Sequence, residues 1–182
     1  RMKNLTLTKK NVEIEKNVIL EERFQRIESD PSSLLDESMR SILYPNHPYG
    51  RPIIGWKHEI MELNYDDVKS FYKTHYEPRN AILVISGNIN LKKVKEIVKK
   101  NFSKIKNVNS SKFKETLDPD LNSQVFVEKK HPTVKQDIWK KLYRADSYNK
   151  SIKRGIALDL GMKIIAGGTS SLLYDEFVNK KK

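Results

Sequence analysis

The feature that most constrains the fold of this chain is a run of helical character, from about Val12 to Glu28, that carries two carboxylates. Glu15 and Glu22 are seven residues apart. This is about two turns of an α-helix, so both side chains lie on one stripe, roughly 10 Å apart along the axis. Ile19 lies between them, and a carboxylate buried beside aliphatic groups needs a cation or a metal as partner. The alternative is that both glutamates are solvated at the edge of an amphipathic helix.

The rest of the chain predicts a mixture of helices and strands. Asp30 or Ser33, Asn64, Asn90, and Ser170 or Ser171 are predicted N-caps of helices, and a long helix over Ile152 to Ile164 is predicted to end at Gly167. Apolar runs predict strands at residues 81–86, 124–128 and 134–143, and the polar segment 103–121 is predicted to loop out. This order favours an α+β fold, with helices on one face of a largely antiparallel sheet.

Composition leaves several classes of function open and excludes others. The 182 residues carry a formal net charge of +12, which is compatible with a basic module that binds nucleic acid or an anionic surface. The lysines around residues 92–100 are not interleaved with aromatic residues for base stacking, which argues against nucleic acid. There is no cysteine, so thiol chemistry is excluded and the composition is compatible with any compartment. No apolar run approaches the roughly 20 residues of a membrane span.

Several blocks of residues resemble one peptidase family. The stretch Glu15-Lys16-Asn17-Val18-Ile19-Leu20-Glu21-Glu22 resembles the segment that carries the third metal ligand in the pitrilysin/insulinase family of zinc peptidases, which includes the mitochondrial processing peptidases. The family pattern is Glu-Arg-x-Val-x-x-x-Glu, from which Lys16 departs. Further blocks resemble the bacterial branch: Asp30-Pro31, His47 to Trp56, Phe71-Tyr72, Tyr76 to Val84, Gly87, and Gly167 to Tyr174.

The resemblance implies a domain plan and a site. Residues 1–59 would form the C-terminal part of a metal-bearing α/β half-domain, and residues 60–182 a second, metal-free and C-terminally incomplete half-domain. Glu22 would be a zinc ligand, and Glu15 would steady another ligand from outside the coordination sphere. The loop of His47 and Tyr49 either flanks the substrate or is a rigid connector packed by Tyr49 and Trp56. We interpret His47 as structural.

One motif of that family is missing from this sequence. The family's His-x-x-Glu-His supplies two zinc ligands and the general base, and none of the four histidines here lies in such a motif. We therefore expect an internal fragment of a zinc-dependent metalloendopeptidase that hydrolyses peptides. The intact protein would hold zinc, whereas the chain alone would be inactive and without stoichiometric zinc.

The resemblance also implies partners and leaves two alternatives. The partners are a peptide substrate and a second lobe or companion subunit of the same family, and the isolated chain is expected to form a homodimer or exchange elements. One alternative is a non-catalytic companion subunit of a processing-peptidase-like heterodimer. The other is the basic binding module for nucleic acid or an anionic surface.

Overall fold

A computed structural model of the chain describes residues 2–106 and 116–181. The chain divides into two compact units, Arg1–Ile138 and Trp139–Lys182. The first unit contains α1 (Lys9–Arg23), α2 (Pro31–Leu43), α3 (Lys57–Glu62), α4 (Tyr65–His75) and α5 (Leu91–Phe102). A π-helical turn, Phe24–Glu28, continues α1, and 3-10 turns lie at Pro48–Gly50 and Pro78–Asn80.

Side-chain caps fix where these helices begin. Asp30 accepts hydrogen bonds from the backbone N–H groups of Ser32 and Ser33, and Asn64 forms a reciprocal capping box with Asp67. Asn90 accepts from the N–H of Lys93. Each cap satisfies N–H groups that have no partner within the helix, which is why these sequence predictions are confirmed.

Helix α3 was not predicted, and it packs directly against α1. Val12 of α1 and Ile60 of α3 are the most buried apolar side chains of the described residues, at 7% and 4% exposure. The Lys16 ammonium lies 3.4 Å from the carbonyl oxygens of both Met61 and Leu63. This lysine therefore satisfies carbonyls at the C-terminal end of α3, which have no partner within the helix.

The second unit consists of α6 (Ile152–Ala166), α7 (Leu172–Tyr174) and a π-helical turn, Asp175–Lys180. Ser151 caps α6, and Ser171 caps α7, which decides between the two serines that the sequence offered. Gly167 is the C-cap of α6, as predicted. Within α6, Gly155 is buried under the ring of Tyr148, whose hydroxyl bonds to Asp159.

The predicted α+β fold is wrong for the residues that the structure describes, because their only regular secondary structure is helical and they contain no strand. The segments 81–86, 124–128 and 134–143 form no strand ladder. In the first of these segments, Ile82 and Val84 are 93% and 83% exposed. An apolar run predicts burial, but a strand also requires a neighbouring strand for its N–H and C=O groups, and local sequence does not specify that neighbour. Part of the predicted loop, residues 107–115, lies outside the described residues.

Many large apolar side chains are exposed in both units. On α1 and α4, Val18 and Phe71 are 56% and 59% exposed, and Leu160 of α6 is 59% exposed. Helix α6 has no single apolar side, because its apolar residues are distributed around the helix together with Lys153, Arg154, Asp159 and Lys163. Within the described residues, no helix combines the length and apolarity needed to cross a membrane.

We expect the 182-residue chain to associate with itself at about 10 μM, because exposed apolar patches drive association. Sedimentation velocity should show species larger than the 21.3 kDa chain. Hydrogen exchange should be fast in the parts of residues 12–43 that lie away from buried Arg23, where Val18 and Ile42 are exposed. A monodisperse monomer with slow exchange over these residues would contradict the prediction.

Candidate functional site

Glu15 and Glu22 lie on one uninterrupted helix, as the sequence predicted. Helix α1 runs from Lys9 to Arg23 without a break. At about 100° per residue, a separation of seven residues brings the two Cα–Cβ directions within roughly 20° of each other. Both carboxylates therefore leave the same side of α1, about two turns apart. Their roles around a metal stay predictions.

The two glutamates differ in their surroundings. The Glu22 carboxylate lies 2.9 Å from the Arg26 guanidinium one turn later, and its side chain is 43% exposed. Glu15 is exposed, and its carboxylate has no ion pair or hydrogen bond within the described part of the chain. The cation expected beside a half-buried carboxylate is thus present at Glu22. Arg26 is itself 74% exposed, so this pair is a weak one that another cation can displace.

Arg23, which follows Glu22 in the chain, is buried and forms polar contacts with three other residues. Its two terminal nitrogens each lie 2.9 Å from a different oxygen of Glu37 on α2. One of them also donates to the carbonyl of Gly55 over 2.7 Å. Nε lies 3.3 Å from Glu28 without hydrogen-bond geometry. The hydrogen bonds to Glu37 raise the pKa of Arg23 despite the opposing effect of burial.

The network continues into α3 through Glu28. Lys57, the first residue of α3, lies 2.8 Å from the second carboxylate oxygen of Glu28. That hydrogen bond lowers the pKa of Glu28 against the opposing effect of desolvation. Gly55 reaches Arg23 with a backbone φ of +89°, a conformation that favours glycine. These five residues, Arg23, Glu28, Glu37, Gly55 and Lys57, are called the Arg23 cluster below.

A groove of about 700 Å³ opens beside the Arg23 cluster, between the end of α1, helix α2 and residues 48–54. Glu22 lies in its wall together with three arginines, Arg26, Arg40 and Arg51. The remaining wall consists of Ile27, Ser33, Asp36, Glu37, Pro48, Tyr49, Gly50, Pro52, Ile53 and Ile54. The groove thus combines the candidate metal ligand with cationic and apolar side chains.

His47 and Tyr49, singled out by the sequence, have different positions. Tyr49 lies in the groove wall and is 69% exposed, whereas His47 is not part of the wall. The ring of His47 packs edge-on against Tyr49 at 4.5 Å, and its Nδ1 accepts a hydrogen bond from the Tyr49 N–H. The N–H of His47 donates to Asp118 over 3.1 Å. These contacts fix the loop and fit the structural interpretation of His47.

The described residues do not assemble a metal site by themselves. In residues 2–106 and 116–181, no three His, Cys, Asp or Glu side chains are grouped so that they could hold an ion. A catalytic zinc requires about three protein ligands. Glu22 supplies one candidate ligand, so these residues do not fit a complete zinc centre.

The arginines of this site were not predicted from the sequence, although the helical pattern around Arg23 indicates that this arginine is buried. Val12, Lys16, Ile19 and Arg23 follow one another at helical spacing, and all four are at least half-buried. A charge on such a stripe requires a buried partner. The partner itself, Glu37, is fourteen residues away on another helix. Its identity therefore depends on tertiary packing.

Comparison with known proteins identifies relatives that match between about half and nearly all of this chain. Residues 62–182 match the family model described as "Peptidase M16 inactive domain". Over 173 residues the chain is 30% identical to "Zinc protease PqqE" of Helicobacter pylori, covering 92% of this chain and 38% of that protein. It is 26% identical to "Mitochondrial-processing peptidase subunit beta" of Lentinula edodes, over 57% of this chain and 22% of that protein.

A solved structure is similar to nearly the full chain. The crystal structure of a protease from Helicobacter pylori matches with a TM-score of 0.68 and 26% identity, covering 99% of this chain and 44% of that chain. The chain thus spans less than half the length of these relatives.

The first prediction from this geometry concerns the pair Arg23 and Glu37. Arg23→Met leaves the Glu37 carboxylate poorly solvated without its bidentate partner, so we expect it to lower the free energy of unfolding by about 3–5 kcal/mol. The double variant Arg23→Met/Glu37→Leu should lose less than the sum of the two single losses, by about 1–3 kcal/mol. Urea denaturation followed by circular dichroism measures all four proteins.

The matched control is the exposed pair Arg51 and Glu59, also 2.9 Å apart but with side chains 69% and 41% exposed. The same cycle on this pair should give a coupling energy below about 1 kcal/mol. Equal coupling in the two cycles would show that burial does not strengthen the Arg23 pair.

The second prediction concerns the pH dependence of stability through Glu28. Because its folded pKa lies below the ordinary value of 4.5, its contribution is present above that value and is lost as pH falls through the folded pKa. Glu28→Gln should therefore cost about 0.5–1 kcal/mol near neutral pH. The difference from the unsubstituted chain should vanish at acid pH.

Urea denaturation at a series of pH values between about 7 and 3 tests this expectation. The control is Glu62→Gln, which removes an equal charge from α3 without removing an ion pair of the described residues. If both variants change the pH dependence of unfolding equally, the contribution assigned to the Glu28–Lys57 pair is wrong.

Proposed function

Because the chain belongs to the M16 family of peptidases, we propose that it forms part of a zinc-dependent metalloendopeptidase that hydrolyses peptides. Glu22 serves as one zinc ligand. The observation that carries this proposal is the position of Glu22, half-exposed on α1 in the wall of a groove of about 700 Å³. The neighbouring Arg23 cluster supports it, because it fixes the end of α1 against α2 and α3.

The remaining parts of a catalytic centre come from outside the described residues. A catalytic zinc has about three protein ligands and one open position. The described residues offer a single one, so no catalytic step is assigned to them. Glu15 acts indirectly, by holding a ligand from elsewhere through a hydrogen bond. Two observations support this role. Glu15 lies two turns before Glu22 on α1, and its carboxylate is exposed without a hydrogen bond or ion pair within the described residues.

We also propose that two half-domains meet within this sequence. Residues 1–59 belong to the metal-bearing half-domain, and residues 60–182 form the metal-free one. The match of the inactive-domain model to residues 62–182 supports this boundary. The proposed partners are the peptide substrate and a second lobe or companion subunit of the same family.

The experiment compares glutamate variants in a longer, zinc-loaded protein that contains this sequence. Glu22→Gln should lose zinc and most peptide turnover, because a neutral amide is a poor zinc ligand. Glu15→Gln should keep more activity, with a loss of about 10–100-fold. The control is Glu21→Gln, since Glu21 is exposed on α1 next to Glu22 and its carboxylate accepts a hydrogen bond only from Gln25 in the described structure. Zinc content by mass spectrometry and hydrolysis of a quenched fluorescent peptide are the measurements.

Two outcomes would overturn the proposal. Full zinc occupancy in Glu22→Gln would show that Glu22 is not a ligand. Peptide turnover by the isolated 182-residue chain would show that the missing ligands and base are not needed. A longer protein that lacks both zinc and turnover before any substitution would instead support the non-catalytic companion subunit.

A further inference from the structure

We propose that the groove beside Glu22 binds an acidic side chain of a peptide, with Arg40 as the residue that selects it. That the occupant is a peptide rests on the proposed peptidase function. The preference for a carboxylate rests on the charges of the groove itself. It predicts that substrates with Asp or Glu in this groove bind better than their amide counterparts.

The charges of the groove wall are mostly satisfied within the protein. Glu37 is held by Arg23, and Glu22 is paired with Arg26. Arg51 lies 2.9 Å from Glu59, and Asp36 also has a partner of its own. The positive charge that remains belongs to Arg40, which has no ion pair within the described residues.

Arg40 is exposed in the last turn of α2. A cation there interacts favourably with the helix dipole, which is the ordinary structural role for such a residue. Its place in the wall of a groove gives it a second role, because a planar guanidinium matches a carboxylate with two parallel hydrogen bonds. A peptide carboxylate would supply the ion pair that Arg40 lacks.

The apolar part of the groove favours a peptide over a small inorganic anion. Ile53 is fully exposed, and Tyr49 is 69% exposed. Both belong to the same wall as Arg40. Contact with the aliphatic and backbone parts of a peptide would remove this apolar surface from water, which inorganic phosphate cannot do.

The test uses two blocked peptides, acetyl-Ala-Ala-Glu-Ala-Ala-amide and the same peptide with Gln in place of Glu. Binding to the metal-free 182-residue chain is followed by NMR chemical-shift changes. The Glu peptide should bind about tenfold more tightly than the Gln peptide. Arg40→Gln should remove most of that difference, and added salt should weaken it.

The net charge of +12 makes a charge-matched control necessary, because any anion is attracted to this chain. Arg79→Gln lowers the net charge equally at an exposed position outside the groove, on a residue with no ion pair in the described structure. It should keep the preference for the Glu peptide. Circular dichroism confirms that both variants keep their helices, and Arg40→Lys should restore only part of the preference.

Three results would overturn the proposal. They are equal binding of the two peptides, an equal loss in Arg40→Gln and Arg79→Gln, and displacement of the Glu peptide by inorganic phosphate at an affinity equal to that of the peptide. None of these measurements involves zinc or turnover. A failure of carboxylate binding is therefore separable from a failure of the peptidase assignment, which depends on the metal content of the Glu22 variants.

Discussion

The candidate site depends on one buried ion pair, the two-point contact between Arg23 of α1 and Glu37 of α2. Arg23 is 4% exposed and donates in addition to the carbonyl of Gly55. Its neighbour Glu28 joins the first residue of α3. A buried guanidinium is costly unless it is paired, so the contacts to its two terminal nitrogens hold these helices in one arrangement. Glu22 precedes Arg23 in the chain and projects into the groove from this fixed helix end.

The sequence was informative where local chemistry decides structure. Asp30, Asn64 and Asn90 cap the predicted helices because one side-chain oxygen and the next few N–H groups suffice for a cap. The three predicted strands failed because an apolar run such as residues 81–86 carries no information about the strand beside it. Helix α3 was missed because its six residues are too few to show a helical period.

The site was only partly predictable for the same reason. The spacing of Glu15 and Glu22 placed both on one side of α1, and the resemblance supplied the hypothesis about their roles. The contacts between helices could not be predicted, since Arg23 is separated from Glu37, Gly55 and Lys57 by turns and loops. Arg40 was not singled out from the sequence, because a cation in the last turn of a helix is explained by its favourable interaction with the helix dipole. Its place in the groove wall, beside charges that are already paired, gives it a proposed function.

The central claim is that Glu22 is presented to a zinc ion from the helix end fixed by Arg23. Anomalous diffraction at the zinc absorption edge, on crystals of the zinc-loaded longer peptidase, tests it most directly. We expect a single strong peak about 2.0–2.2 Å from a carboxylate oxygen of Glu22, with Arg23 still bound to Glu37. A zinc peak with a complete set of ligands that excludes Glu22 would contradict the claim.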